Sequence, residues 1–263
     1  MQKPIVFFDI DGTLLNDKKE IPISTKQAIQ VLQEKGIHTV IATGRVPNMF
    51  DGILKELNIN SYIAINGQYV VFEGQEMYSN PINPEMLQAI SNMTASNGHA
   101  LAYCSHHDYM VSKRNHPFIA SSFDSLKLPY PEVDPDFYKK WPIFQGHLYC
   151  EEKDTQMYID RFPHFSFVRW HEVAFDILPK GVSKAIGIQK LLEALNIQKE
   201  NSFAFGDGLN DVEMLTSVGT GIAMGNAVPE AKAAANVITT SSSNYGILNG
   251  LIEVGLLEQD KVS

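Results

Sequence analysis

Two carboxylates spaced two residues apart follow a short apolar run near the start of the chain, where residues 5–13 read Ile-Val-Phe-Phe-Asp-Ile-Asp-Gly-Thr. Such a run is typical of a buried strand, and Asp9 and Asp11 share one face if the strand continues to them. Carboxylates this close repel each other unless a cation or a shared proton intervenes. Gly12 allows a tight turn whose N–H groups can hold an anion. The pattern indicates a site that binds a metal ion and a phosphate, with one carboxylate free to attack as a nucleophile.

Three later apolar runs also end in polar residues. They end at Thr43, at Asn66 and at Asp207, and Asn210 and Asp211 follow the last of these closely. Turn chemistry explains any one cluster, because Asp, Asn and Gly favour turns. In a parallel α/β sheet, however, ligands bind beyond the carboxyl ends of the strands. Four polar strand ends at one sheet edge therefore predict a single functional site.

The elements that would position these residues alternate between strand and helix. The sequence predicts strands over 5–9, 37–42 and 62–65, helices over 24–35 (with Ser24 as N-cap) and 46–58, and a hairpin over 69–79. After residue 183 it predicts helices over 183–195, 209–216 and 229–235, and strands over 202–206, 220–224 and 236–240. This alternation is typical of a parallel sheet with right-handed crossovers.

The pattern changes to α+β between residues 82 and 178. This segment is long enough for its own small core, so we expect a second domain inserted into the first. The predicted domains are a core of residues 1–81 and 179–263 and a cap of residues 82–178. Pro81 and Pro179 mark the two joints, and an inserted domain of this kind is expected to move relative to its host.

Composition narrows the class of protein. Of the 263 residues, 44% are hydrophobic and 19% charged, which is ordinary for a globular enzyme. The formal net charge of −9 disfavours nonspecific binding to nucleic acid or to an anionic membrane. Cys104 and Cys150 are too few for a disulfide framework. With no membrane-length apolar stretch and no signal-peptide pattern, we expect a cytoplasmic protein.

Four motifs occur in a fixed order along the chain. They are Asp9-Ile-Asp11-Gly12-Thr13, Thr43-Gly44-Arg45, Lys180-Gly181-Val182-Ser183-Lys184 and Gly206-Asp207-Gly208-Leu209-Asn210-Asp211. Each is weakly specific, but the ordered set resembles the haloacid dehalogenase (HAD) superfamily of phosphatases, in particular the Cof-type subfamily IIB. The resemblance covers essentially the whole chain. It implies an α/β fold, with a Rossmann-like parallel sheet core and an inserted α+β cap of the C2B type.

The resemblance also implies a reaction and a cofactor. The enzyme would be a magnesium-dependent phosphatase of small phosphomonoesters, such as sugar phosphates, working as a monomer or homodimer. Asp9 would attack phosphorus to form an aspartyl-phosphate, and Asp11 would protonate the leaving group and then activate water. Asp9, the backbone carbonyl of Asp11, and Asp207 would hold Mg²⁺. Lys184 would offset the charge on the phosphoryl group and on Asp9.

The remaining site residues are implied to bind phosphate or to orient the catalytic groups. Those expected near the phosphate or substrate are Gly12, Thr43, Gly44, Arg45, Asn66 and Asn210. Asn210 would contact either the phosphate or Lys184. Asp211 would orient either Lys184 or a metal-bound water.

Plainer interpretations stay open for several of these residues. Lys184 lies near a predicted helix start, where the dipole disfavours a cation, so it could be a solvated surface lysine. Arg45 and Asn66 could belong to an ordinary helix start and turn. His106-His107-Asp108 could bind a transition metal, but its spacing matches no common zinc motif and favours a polar hairpin tip.

Other functions share parts of this pattern. A phosphomutase would use Asp9 and Asp11 but return the phosphate to its product. A carbon–halogen hydrolase would have no clear use for Asp11 or the metal ligands. A binding or regulatory module on the same fold would typically have lost a catalytic carboxylate, whereas Asp9, Asp11 and Asp207 are all present.

Overall fold

The computed structural model describes residues 3–258. The chain forms two compact units. The first, here called the core unit, comprises the chain up to Arg45, Met49–Ser79, and the chain from Ser183 onward. The second, the insert unit, comprises Val46–Asn48 and Asn80–Val182. Among the described residues, none of the helices combines the length and apolar character required to cross a membrane.

The secondary structure runs through both units in chain order. The strands are β1 (Ile5–Phe8), β2 (His38–Ala42), β3 (Tyr62–Ala64), β4 (Tyr69–Phe72), β5 (Gln75–Ser79), β6 (Ala100–Cys104), β7 (Tyr109–Val111), β8 (Gln145–Tyr149), β9 (Phe165–His171), β10 (Ala174–Pro179), β11 (Ser202–Gly206), β12 (Thr220–Ala223) and β13 (Val237–Ile238). The helices are α1 (Ile23–Glu34), α2 (Asp51–Leu57), α3 (Pro84–Ser96), α4 (Pro117–Ser125), α5 (Glu152–Arg161), α6 (Lys184–Leu195), α7 (Val212–Ser217), α8 (Pro229–Ala234) and α9 (Gly246–Glu253).

The core unit is built on one eight-stranded sheet in the order β13-β12-β11-β1-β2-β3-β4-β5. Its strands from β13 to β3 pair in parallel, while β4 and β5 add an antiparallel hairpin. β1 lies between β2 and β11 and is completely buried, as a continuous apolar run predicts for a strand covered on both faces. The predicted parallel α/β core is confirmed.

β1 ends at Phe8, so the strand does not continue through the two carboxylates. The Asp9 N–H still bonds to the Phe205 carbonyl at 3.0 Å, but the chain then turns, and Leu14 N–H bonds back to the Asp9 carbonyl at 3.2 Å. Asp9 and Asp11 therefore do not share a strand face, because the strand ends before both of them.

Two helix predictions need correction, and one helix was not predicted. Ser24 is not the N-cap of α1, because the helix starts at Ile23 and the carbonyl of Pro22 accepts the first helical N–H bonds. The predicted helix over 46–58 is divided into a 3₁₀ turn at Pro47–Met49 and the short helix α2. The sequence did not predict α9, whose Gly246 and Gly250 obscure its helical propensity.

Two glycines let α6 approach the sheet closely and so fix the start of that helix. Gly67 has a φ of +89°, and a Cβ built there would lie 2.1 Å from the carbonyl oxygen of Ser183. A Cβ on Gly187 would lie 2.5 Å from Ile63 Cγ2. Only hydrogen fits at either position, and the close packing determines where Lys184, the first residue of α6, enters the site.

The insert unit has its own five-stranded antiparallel sheet, in the order β7-β6-β8-β10-β9. Apolar side chains from α3 and α5 bury one face, and Ile119 of α4 packs on the other. His106, His107 and Asp108 form the tip of the β6–β7 hairpin. No group of three metal-ligating side chains in residues 3–258 includes them, which leaves the hairpin-tip interpretation.

We expect Gly187→Ala to lower the free energy of unfolding by about 1–2 kcal/mol, because the overpacking cost exceeds the gain in helix propensity. The matched control is Gly52→Ala in α2, where a Cβ meets nothing within 4 Å. That change should be neutral or should stabilise by up to about 1 kcal/mol. Urea unfolding measures both, and equal effects of the two substitutions would contradict the close approach of α6.

Candidate active site

A buried lysine lies between two carboxylates at the centre of the site. The Lys184 Nζ donates to Asp9 Oδ1 at 2.5 Å and to Asp211 Oδ1 at 2.7 Å. Its side chain is 0% exposed, so the interpretation as a solvated surface lysine is wrong. Lys184 begins α6, where the helix dipole disfavours a cation, and the two carboxylates offset that cost.

Burial and charge act in opposite directions on these groups. Burial raises the pKa of the Asp9 carboxyl to about 7, although the Lys184 ammonium opposes this. Burial alone would lower the pKa of Lys184, but Asp9 and Asp211 together raise it above its ordinary value. Lys184 is therefore a permanent cation. A further cation beside Asp9 would bring the pKa of that carboxyl down again.

Both oxygens of Asp211 are already occupied. Oδ1 binds Lys184, while Oδ2 accepts the backbone N–H groups of Asp207 and Gly208, both at 2.9 Å. The side chain thus connects α6 to the turn after β11. Of the two alternatives for Asp211, the observed contacts are those of a residue that orients Lys184.

The turn after β1 and the turn after β11 meet at Gly12. This residue has a φ of +82°, and a Cβ there would lie 2.1 Å from Asp207 Oδ2. Thr13 Oγ1 donates to Asp207 Oδ1 at 2.9 Å, and Asn226 Nδ2 lies 3.3 Å from Asp207 Oδ2. Asn226 Nδ2 also donates to the Gly12 carbonyl at 2.8 Å. The Asp207 carboxylate is consequently held directly against the backbone of the first motif.

Asp9, Asp207 and Asp211 form the group of carboxylates in the described chain that is suited to a metal. Their ligand oxygens lie within 4.8 Å of one another. Three carboxylates face the single ammonium of Lys184, so the cluster carries an excess of negative charge. Burial raises the pKa of Asp207, although the hydrogen bond from Thr13 opposes this. The donor set consists of oxygen atoms and fits a hard divalent cation.

Asp11 lies apart from this cluster and contacts two other cations. Arg45 binds it in a bidentate manner, with Nε 2.9 Å from Oδ2 and Nη2 2.7 Å from Oδ1. Lys19 Nζ donates to Oδ1 at 3.1 Å. Partial burial would raise the pKa of Asp11, but the hydrogen bonds from Arg45 and Lys19 outweigh it and lower that pKa.

The second motif lies at the end of β2. The side chain of Thr43 is buried, and its Oγ1 accepts the Arg45 N–H at 3.1 Å. The Asn66 N–H donates to the Thr43 carbonyl at 3.1 Å. A Cβ on Gly44 would lie 3.0 Å from Asn66 Oδ1. These residues are therefore brought together at adjoining strand ends.

Asn210 is exposed beside Gly208. Within residues 3–258 it makes no hydrogen bond to Lys184, whose ammonium contacts Asp9 and Asp211 instead. Asn210 was expected to contact either the phosphate or Lys184, and it does not contact Lys184.

The site contains two residues that the sequence analysis did not single out. Asn226 follows β12, a fifth parallel strand whose carboxyl end reaches the same edge, so the strand-end rule applied once more would have found it. Lys19 is an exposed residue of a polar loop, and its sequence context gives no signal of its contact with Asp11.

Comparisons with known proteins agree with this geometry. The family model for haloacid dehalogenase-like hydrolases matches residues 6–251. The chain belongs to this family. The resemblance seen in the four motifs is thus confirmed, and so is the expectation of an enzyme, since the family is one of hydrolases.

Three relatives illustrate the similarity. The Bacillus subtilis (strain 168) protein named "Putative phosphatase YkrA" is 42% identical over 98% of this chain and 100% of its own length. A hypothetical protein from Geobacillus kaustophilus HTA426 is 45% identical, with a TM-score of 0.94 over 97% of this chain and 100% of that one. The HAD subclass IIB sugar phosphatase BT4131 is 28% identical, with a TM-score of 0.77 over 97% and 100% of the two chains.

We expect Gly12→Ala to weaken binding of a divalent metal by at least about tenfold, because the new Cβ would displace the Asp207 carboxylate. The control is Gly74→Ala, which has a similar φ of +79° but nothing within 4 Å of the added Cβ. It carries the backbone strain without the clash and should bind metal normally. Titration calorimetry with Mg²⁺ compares the two, and an equal loss in both would assign the effect to strain alone.

Proposed function

We propose that the chain is a magnesium-dependent phosphatase that hydrolyses small phosphomonoesters through an aspartyl-phosphate intermediate. The observation that carries the proposal is the buried Asp9–Lys184–Asp211 arrangement beside Asp207. It offers a nucleophilic carboxylate, a fixed cation and oxygen ligands within one cluster. The names of the relatives support phosphate esters as substrates, and BT4131 supports sugar phosphates among them.

The proposed first step is attack by Asp9 on phosphorus. Lys184 holds Oδ1 of Asp9 and so fixes the orientation of the carboxylate. The same ammonium offsets the charge that develops on the phosphoryl oxygens. Asp211 keeps Lys184 in place, because its other oxygen is tied to two backbone amides. Mg²⁺, held by Asp9, Asp207 and the Asp11 carbonyl, would neutralise further charge on the phosphoryl group.

The proposed role of Asp11 is to protonate the leaving oxygen and then to activate water. Its contacts with Arg45 and Lys19 are those of an ionised carboxylate, and about half of its side chain is exposed. To act as an acid it must turn from these partners towards the substrate. Thr43 and the amides around Gly12 would hold the phosphoryl oxygens, together with Gly44, Asn66 and Asn210. We assign a part of substrate selection to the insert unit.

A phosphate-release screen across a metabolite panel with Mg²⁺ tests the function. Asp9→Asn removes the attacking charge while nearly preserving shape, so hydrolysis should fall to background with the fold intact by circular dichroism. Asp51→Asn, which removes an exposed carboxylate from α2, should retain full activity. Substantial turnover by Asp9→Asn, with deamidation excluded, would reject Asp9 as the nucleophile. Phosphate returned to product rather than released would indicate a phosphomutase.

We expect Asp11→Asn to affect substrates according to their leaving groups. Hydrolysis of alkyl phosphates should fall by about 100-fold or more, because the alkoxide needs a proton. Hydrolysis of p-nitrophenyl phosphate should fall less, since nitrophenolate leaves without one. Steady-state kinetics on both substrates measure the difference. An equal loss on both would point to a defect in metal binding or in hydrolysis of the intermediate.

A further inference from the structure

A cavity of about 900 Å³ opens beside Asp11 within the core unit. Its lining includes Lys19 and Arg45, together with apolar side chains such as Phe50 and Ile53. The cavity therefore combines an apolar wall with two cations at the carboxylate to which we assign proton transfer. None of the steps of the proposed hydrolysis uses this space.

The two cations at Asp11 share a single carboxylate. Two positive side chains bind one carboxylate, with Nη2 of Arg45 at 2.7 Å and Nζ of Lys19 at 3.1 Å from the same oxygen. In the same lining, Lys26 is already paired with Glu56 at 2.5 Å. Glu20 also lines the cavity, but it forms no ion pair within the described part of the chain. The lining as a whole is balanced in charge, with three cations and three carboxylates, but Lys19 and Arg45 both depend on the one carboxylate of Asp11.

Hydrogen bonds fix the backbone of the loop that carries Lys19. Lys19 has a φ of +62°, a left-handed conformation that favours glycine. Asn16 Oδ1 accepts the N–H groups of Lys18 and Glu20 at 2.9 and 3.0 Å, and the Asn16 N–H bonds to the Glu20 carbonyl at 2.9 Å. The side chain of Lys19 therefore reaches Asp11 from a turn whose backbone is fixed by hydrogen bonds.

We propose that Arg45 and Lys19 form an anion subsite for a second negatively charged group on the leaving-group side of the substrate. This inference rests on the proposed function and specifies its substrate class, namely phosphomonoesters that also carry a carboxylate or a second phosphate. An acid must contact the leaving oxygen, so the leaving group passes Asp11 and extends towards the adjoining cavity. When Asp11 turns to that oxygen, both cations lose their partner.

The substrate anion takes the place that Asp11 vacates. The guanidinium of Arg45 matches a carboxylate or phosphate in a bidentate manner, as it does Asp11 at rest. The resting contacts are weak enough to exchange, because Lys19 is 68% and Asp11 46% exposed, and ion pairs in solvent are worth little. A substrate without a second anion would leave the two cations unpaired at that step.

Two pairs of substrates, whose carbon chains differ in length, test the subsite. Glycerol 3-phosphate and 3-phosphoglycerate differ only in a hydroxymethyl group and a carboxylate, as do sorbitol 6-phosphate and 6-phosphogluconate. The wild-type kcat/KM should favour the acid in at least one pair. Lys19→Met should reduce that preference by about two- to fivefold, the range of an exposed ion pair. Lys19→Arg should restore it.

Lys18→Met is the matched control, because it removes the same charge from the neighbouring position of the same loop. It should leave the preference unchanged. A preference that is absent from the wild type, unaffected by Lys19→Met, or reduced equally by Lys18→Met overturns the subsite. In each of these cases, continued release of phosphate leaves the proposed function intact.

Binding measurements test the subsite independently of phosphate hydrolysis. In the Asp9→Asn protein with Mg²⁺, calorimetry should show tighter binding of the same acid than of its neutral partner, and Lys19→Met should reduce the difference by the same factor of about two- to fivefold. If this pattern holds while the wild type releases no phosphate from any substrate, the proposed function fails and the subsite stands. Equal binding of acid and neutral partner, with or without Lys19, overturns the subsite.

Discussion

The ammonium of Lys184, buried between Asp9 and Asp211, is the interaction on which the rest of the site depends. Removing one partner of a buried ion pair typically costs about 3–5 kcal/mol, because the other charge is left uncompensated. The three groups therefore constrain one another, and they belong to three different places in the chain. Asp9 directly follows β1, Lys184 begins α6, and Asp211 lies in the turn after β11.

The backbone around this ion pair is shaped to permit it. Gly67 and Gly187 let α6 lie against the sheet, which brings Lys184 to the strand ends. Gly12 and Gly206 do the same for the two acidic turns, since a Cβ on Gly206 would lie 2.6 Å from Asp211 Cβ. Because glycine has no Cβ, the backbone segments at these four positions can approach closely enough for the charged groups to converge.

The two carboxylates of the first motif are in contrasting environments. Asp9 is buried and its pKa is raised, whereas Asp11 is half exposed and its pKa is lowered by Arg45 and Lys19. In the proposed mechanism the attacking carboxylate and the proton-transferring carboxylate have different tasks, and distinct surroundings are a physical means of separating them. The separation follows from the end of β1 at Phe8, because Asp9 stays beside Lys184 while Asp11 contacts Arg45 and Lys19.

The parallel sheet could be predicted from the sequence alone, because buried strands such as β1 are continuous apolar runs and the helices between them keep their own period. The sequence also predicts that Asp9, Thr43, Asn66 and Asp207 lie at one edge of the sheet, because the carboxyl ends of parallel strands share that edge. The environment of each group depends instead on the tertiary structure. Whether Lys184 is solvated or buried depends on how closely α6 packs, and whether Asp11 joins Asp9 depends on where β1 ends. The contact of Lys19 with Asp11 crosses a turn whose backbone conformation no local pattern specifies. Such contacts are set by long-range packing, which composition, spacing and periodicity do not encode.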